Sequence, residues 1–150
     1  MKAVIQRVNQ ASVSIEDKKV CEIDQGLLIL LGITDSDSLN EIQWLTRKII
    51  NLRIFNDANG IMNNSVHDIQ GDVIIVSQFT LMAQTKKGNR PSYIKAAKPE
   101  IAIPIYERFI KEFETQLGKT VGTGKFGANM QIDLQNDGPV TITIDTENKQ

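Results

Sequence analysis

A chain of 150 residues with a 41% apolar share holds enough material to bury a real core, and too little for two domains of ordinary size. Its 17 Lys and Arg against 18 Asp and Glu give a formal charge of -1, so no overall basic field attracts nucleic acid and an RNA partner has to be met by a local patch. One cysteine, Cys21, excludes an internal disulfide and a cysteine-based zinc site. The one histidine, His67, excludes a metal site built on several imidazoles, so neither metal nor cofactor is expected. Cys21 fits a reducing compartment, no basic-then-apolar leader opens the chain, and the longest apolar run, Leu27 to Leu31, is too short to span a bilayer. The expectation is a soluble, cytoplasmic protein that does not touch a membrane, with residues 1–150 forming a single domain.

Met1 to Val8 alternates loosely and carries Arg7 near its end, which predicts a first strand whose arginine is either a surface ion pair or a functional cation. Ala11 to Glu16 sets Val13 and Ile15 against Ser12 and Ser14. With the Asp17-Lys18-Lys19 turn and Val20 to Asp24 it predicts a hairpin in which Cys21 is a small core or edge residue. Leu27 to Ile33 is continuously apolar, as a central strand should be. Asp35 to Ser38 is rich in N-cap residues. Leu39, Ile42, Leu45, Ile49 and Leu52 then recur at helical spacing, predicting an amphipathic helix of about 14 residues with Trp44 at the core edge or on a partner surface. Leu52 to Phe55 runs out extended into the Asn56 to Gly60 turn, and Ile61-Met62 is a weak returning strand. His67 and Asp68 precede the Gln70-Gly71 turn. A loop histidine bonded to backbone is expected there, not a metal ligand or a triad member.

Val73 to Val76 predicts a strand covered on both faces, and it ends in Ser77, Gln78, Phe79 and Thr80. Buried hydroxyls and amides are costly unless paired, so this cluster either ties down a turn or holds a ligand. Met82 to Tyr93 has no periodicity and is a long loop. Its Lys86, Lys87 and Arg90, with Lys95, Lys98 and Tyr93, form the one basic cluster with an aromatic, suited to phosphate contacts and stacking or else to plain solvation.

Pro99 suits a first helical turn, and Ile101, Ile105, Phe109, Phe113 and Leu117 follow at every fourth position up to Gly118, with Pro104 able to delay the start toward Ile105. Gly122, Gly124 and Gly127 have the GxGxxG spacing, but a helix precedes them and a strand follows, the reverse of a dinucleotide fingerprint. Gln131 to Leu134 and Val140 to Ile144 alternate around Asn136-Asp137-Gly138-Pro139, predicting a closing hairpin whose X-Pro bond can be cis. Glu147 to Gln150 is read as a frayed tail. About eight strands and two convincing helices make the fold class α+β: a largely antiparallel, barrel-like sheet with two main helices packed outside.

Ser77-Gln78-Phe79-Thr80-Leu81, Gly88-Asn89-Arg90-Pro91-Ser92 and Asn136-Asp137-Gly138-Pro139-Val140, with Met1 to Val8 and Phe126 to Met130, resemble the bacterial D-aminoacyl-tRNA deacylases over essentially the whole chain and in order. The resemblance implies a hydrolase that cuts the ester joining a D-amino acid, or glycine, to the terminal ribose of tRNA and spares L-aminoacyl esters. It also implies a homodimer with its sites at the subunit interface. Gly138-Pro139 of one subunit would present backbone carbonyls to the substrate's α-amino group, and Arg7 would help fix that turn. Ser77, Gln78, Phe79, Thr80, Phe126 and Met130 would line the pocket, with Lys86, Lys87 and Arg90 on the RNA. Ser77, Gln78, Phe79 and Thr80 would be the catalytic set: Thr80 is the tempting nucleophile but has no base near it in sequence, and the account the resemblance favours has Thr80 position the substrate while the tRNA 2′-hydroxyl assists and backbone N–H groups near Phe79 and Thr80 hold the oxyanion. The rivals are a non-catalytic module that binds RNA ends or an amino acid, and a hydrolase of another ester or amide.

Overall fold

The spine of the molecule is one 14-residue strand, β1 (Lys2–Ile15), and most of the sheet is hung from its two edges. Along one edge run β3 (Gly26–Gly32), opposite Lys2 to Val8, and β2 (Lys18–Ile23), opposite Ala11 to Ile15, both antiparallel. Along the other edge runs β8 (Met130–Asp145), antiparallel over nearly the full length. The two segments expected at the N-terminus, Met1 to Val8 and Ala11 to Glu16, are therefore one strand, and the predicted hairpin with Val20 to Asp24 forms from its second half. The computed structural model describes residues 1–149, so Gln150 of the expected tail lies outside the described residues.

From β3 the chain crosses through α1 (Leu39–Ile50) and a small ribbon of β4 (Phe55–Asn56) and β5 (Met62–Asn64), and returns as β6 (Asp72–Ser77) parallel to β3. A helical crossover lets a chain re-enter a sheet in the same direction. After α2 (Pro99–Leu117), β7 (Gly122–Thr123) joins β6, again in parallel. The sheet is therefore a nearly closed barrel-like arrangement with two helices, antiparallel along β1 as expected but mixed and not purely antiparallel, since β3, β6 and β7 run parallel.

The apolar runs sort as their composition requires. Leu27, Ile29 and Leu31 of β3 and Val73 and Ile75 of β6 face α1 and α2, packing with Leu45, Ile49, Phe109 and Phe113. Leu28, Ile74 and Val76 point the other way, into a second cluster with Val8, Ala11 and Val13. Strands buried on both faces are continuously apolar for this reason. At the end of the spine the Met1 α-amine is buried, donating to Asp37 and to Thr146 Oγ1 at 2.6 Å.

Three local expectations change. Helix α1 is capped by Ser38, within the expected N-cap run, in a capping box with Glu41, but ends at Ile50, leaving Leu52 outside and Leu39 exposed. Helix α2 starts at Pro99 with Pro104 inside it, so the second proline does not delay the start. Its buried face is Ala102, Tyr106, Phe109, Phe113 and Leu117, while Ile101 is exposed. A row of every fourth residue drifts by about 40° per step around a helix of 3.6 residues per turn, so no straight i+4 stripe stays inward.

The largest correction concerns the C-terminus. Gln131 to Leu134 and Val140 to Ile144 do not pair with each other; both belong to β8 and pair with β1. Gln6 opposes Thr141 and Val8 opposes Asn136, so residues 137–140 are spliced in opposite Arg7 as an enlarged bulge. Period-two alternation is the same whether two segments pair with one another or with a third strand. The Gly138-Pro139 peptide within the bulge is cis.

Candidate functional site

Strand β6 leaves the core at Ser77, which is in register with Leu31. The Gln78 amide N–H donates to the Leu31 carbonyl at 2.7 Å, and the chain then tightens into a 3-10 turn, Phe79–Met82. Of this turn's amides, Leu81 N–H reaches the Gln78 carbonyl at 3.2 Å, whereas those of Phe79 and Thr80 have no backbone acceptor among the described residues. Orphan donors of this kind open every helical turn. The Gln78 Nε2 donates to Thr80 Oγ1 at 2.5 Å, and no histidine, lysine or carboxylate contacts that hydroxyl among the described residues. Thr80 therefore has a hydrogen-bond donor beside it and no base.

A cleft of about 310 Å³ opens at this strand end. Ser77, Gln78 and Phe79 form one wall and the segment from Phe126 to Met130 the other, with Ala97 and Ala102 between. The glycine-rich stretch shapes the second wall. A Cβ on Gly124 would meet Met130 Sδ at 2.2 Å, and Gly127 has φ +75, so close approach and a left-handed turn account for these glycines without a dinucleotide. Of the residues expected together, Ser77, Gln78, Phe79, Phe126 and Met130 do meet. Thr80 sits just beyond, on Gln78.

Arg7 and the Gly138-Pro139 turn do not line this cleft. Gly138 and Pro139 are exposed, whereas Arg7 is only 6% exposed and is not a surface ion pair. Its Nε lies 2.8 Å from the Asp137 carboxylate and 3.3 Å from the Asp137 carbonyl, and its Nη1 donates to the Ile54 carbonyl at 2.5 Å. Arg7 thus pins the root of its own chain's turn to the segment after α1. Sequence reasoning did not anticipate Asp137 in this role, although a buried guanidinium in a strand demands a carboxylate.

The basic trio lies on an exposed loop closed by the Gln84 and Ser92 backbone pair, and Lys86, Lys87 and Arg90 form no ion pairs among the described residues. Tyr93, at the loop's root, meets Phe79 edge to face with centroids 5.1 Å apart, and Phe79 is 56% exposed. Trp44 is half-buried, with the ammonium groups of Lys48 and Lys149 at 5.8 and 4.6 Å from its ring centroid. The half-buried Cys21 has its thiol pKa raised by desolvation, and His67 is exposed with no side-chain hydrogen bond among the described residues. Neither takes part in the cleft. Among the described residues no group of three or more His, Cys, Asp or Glu is placed to hold a metal, and no helix is long and apolar enough to cross a membrane.

Fold and cleft together define a barrel-like α+β domain with an amide, hydroxyl and aromatic-lined recess at the carboxyl end of a parallel strand. The chain belongs to the family described as D-Tyr-tRNA(Tyr) deacylase, whose model matches residues 4–145, a family of hydrolases acting on ester bonds. A D-aminoacyl-tRNA deacylase of Flavobacterium psychrophilum is 65% identical over 150 residues, covering 100% of both chains. Among solved structures, the c-Myc DNA unwinding element binding protein superposes with a TM-score of 0.93 at 41% identity, covering 97% of this chain and 99% of its own. A probable eukaryotic D-amino acid tRNA deacylase superposes at 0.81 with 17% identity, covering 95% and 97%, and shares the fold.

Proposed function

We propose that residues 1–150 act as one deacylase domain that hydrolyses the ester between a D-amino acid, or glycine, and the 3′-terminal ribose of tRNA, sparing L-aminoacyl-tRNA. The observation that carries the reading is a division of the site. The Ser77 to Phe79 strand end faces Phe126 and Met130 across the cleft, while the exposed Gly138-Pro139 turn stands outside it on an Arg7 and Asp137 anchor. Two half-sites on one chain are completed when two chains associate, each presenting its turn to the other's cleft. In that homodimer the turn's carbonyls take the substrate's α-amino group and the strand end holds the ester.

Backbone geometry is the right instrument for this task, because mirror-image substrates carry identical groups. With the amine and ester both anchored, one hand directs its side chain outward and the other drives it into the turn, so rejection comes from a clash. Glycine has no side chain to clash and passes. For the chemical step, Thr80 positions and does not attack, since its hydroxyl accepts from Gln78 and has no base. The vicinal 2′-hydroxyl assists water in adding to the ester carbon, the unpaired N–H groups of Phe79 and Thr80 stabilise the oxyanion, and the 3′-oxygen leaves with a proton. Lys86, Lys87 and Arg90 contact phosphates of the tRNA.

The decisive experiment incubates the purified protein with D-Tyr-tRNA and L-Tyr-tRNA. Release of D-tyrosine alone is expected, and release of neither would mean a non-catalytic binding module. Substrate with hydrogen in place of the terminal 2′-hydroxyl should turn over far more slowly; unchanged turnover would remove the RNA from the mechanism. Thr80→Ala should retain measurable hydrolysis. Abolished hydrolysis with intact binding of a non-hydrolysable D-aminoacyl adenosine would restore Thr80 as nucleophile.

A further inference from the structure

Beneath the cleft lies a tyrosine that none of the foregoing chemistry uses. Tyr106 is 5% exposed on α2, and its hydroxyl donates to the Ile75 carbonyl at 2.7 Å. That carbonyl belongs to the last residue at which β7 accompanies β6, since the two strands pair only at Ile74 and Ile75. Beyond it, Val76 and Ser77 line the cleft. The phenol is thus planted where the flanking strand stops and the cleft begins. Its ring also supports the opposite wall, with the Phe126 centroid 6.1 Å away at 56°. Ala102, one turn earlier on α2, lines the cleft itself, so a single helix face touches both sides of the opening. Burial pushes the phenol's pKa up, which keeps its proton in place as the donor to Ile75.

We propose that Tyr106 is a positioning residue that sets the gap between the end of β6 and Phe126, and through that gap the affinity for the aminoacylated 3′-nucleoside. The proposal rests on the deacylase reading. Tyr106 does not line the cleft and acts only through the groups it holds. Walls that grip ground state and transition state alike govern KM and leave kcat unchanged. A tyrosine that merely stabilised the fold would do the opposite: its loss would reduce the active fraction, lowering apparent kcat at constant KM.

Tyr106→Phe keeps the ring beside Phe126 and leaves the Ile75 carbonyl without its donor. KM for D-Tyr-tRNA is expected to rise roughly two- to tenfold, the range one hydrogen bond supports, with kcat per active site within about twofold of wild type. The Kd of a non-hydrolysable D-tyrosyl-adenosine amide should rise by the same factor, and Tyr106→Leu, which also loses the ring, should raise both further. Phe126→Leu, with the Tyr106 hydrogen bond intact, should raise KM as well, and it decides the matter if the Tyr106 variants do not fold. Unchanged KM and Kd in Tyr106→Phe, or in Phe126→Leu where that variant decides, overturn the proposal, as does a loss confined to kcat. A wild type that binds the amide without turning over D-Tyr-tRNA defeats the deacylase reading alone, and the Kd values still judge Tyr106. A wild type that does neither defeats both.

Discussion

Removing the Arg7 guanidinium tests the anchor on which the proposed division of the site depends. Arg7→Ala leaves the Ile54 carbonyl, in a residue only 8% exposed, without its donor, which costs about 1–3 kcal/mol. The Asp137 side chain is 32% exposed and regains water, so losing its ion pair adds only about 1 kcal/mol. The truncated stem of a side chain 7% exposed leaves a partial void worth a further ~1 kcal/mol. The sum is about 3–5 kcal/mol, a fall in Tm of about 6–20 °C for a chain of this size. Asp137→Asn keeps an acceptor but strips the charge facing the buried guanidinium, and should cost less, about 1–2 kcal/mol. A double-mutant cycle of Arg7→Ala with Asp137→Ala should give a coupling of about 0.5–3 kcal/mol. Thermal unfolding measures all of these, and deacylation assayed well below each Tm should fall at least tenfold, because the turn is released while the fold persists. An Arg7→Ala protein melting within about 2 °C of wild type, or a cycle with no coupling, would refute the account of the buried anchor.

Replacing Lys86, Lys87 and Arg90 together by alanine should raise KM for tRNA, leave hydrolysis of a short D-aminoacyl nucleoside unchanged, and reduce the slope of log affinity against log salt by up to about 3. Phe113→Ala, at a fully buried ring between the helices and the sheet, should lose about 3–5 kcal/mol in urea unfolding without altering the KM of the folded fraction. Ser38→Ala removes the α1 cap and should cost about 1 kcal/mol at neutral pH. Ser38 lowers the Glu41 pKa chiefly by hydrogen bonding its carboxylate, so this contribution is complete above the ordinary glutamate range and disappears as pH falls through the lowered value. The wild-type and Ser38→Ala stability curves should therefore draw closer in acid by the Glu41-linked part, while the loss of the Ser38 hydroxyl as acceptor for the Asn40 N–H persists at every pH.

Strands and helices that bury their own pattern were legible before any coordinates. Leu27 to Leu31 and Val73 to Val76 had to be covered twice, and they are. Their mutual direction was not legible, because a continuous apolar strand reads alike in parallel and antiparallel neighbours. For the same reason β8 looked like two strands of a hairpin: alternation specifies faces and says nothing of partners. One wall of the candidate cleft was legible as well, since Ser77, Gln78 and Phe79 end a buried strand. Asp137 escaped notice because its role depends on a charge 130 residues away in sequence, and Tyr106 because a buried tyrosine in a helix looks like ordinary core until the carbonyl above it is known.

The bulge opposite Arg7 has one more consequence. Ladder pairs at Gln6 with Thr141 and at Val8 with Asn136 clamp both ends of residues 137–140, so the tip between them can change without shifting the register of the barrel. Asp137 is tied to the buried Arg7 and Val140 packs into the core, so only the exposed Gly138-Pro139 tip stands clear of the fold's own contacts: the segment is rooted at both feet and variable only at its crown.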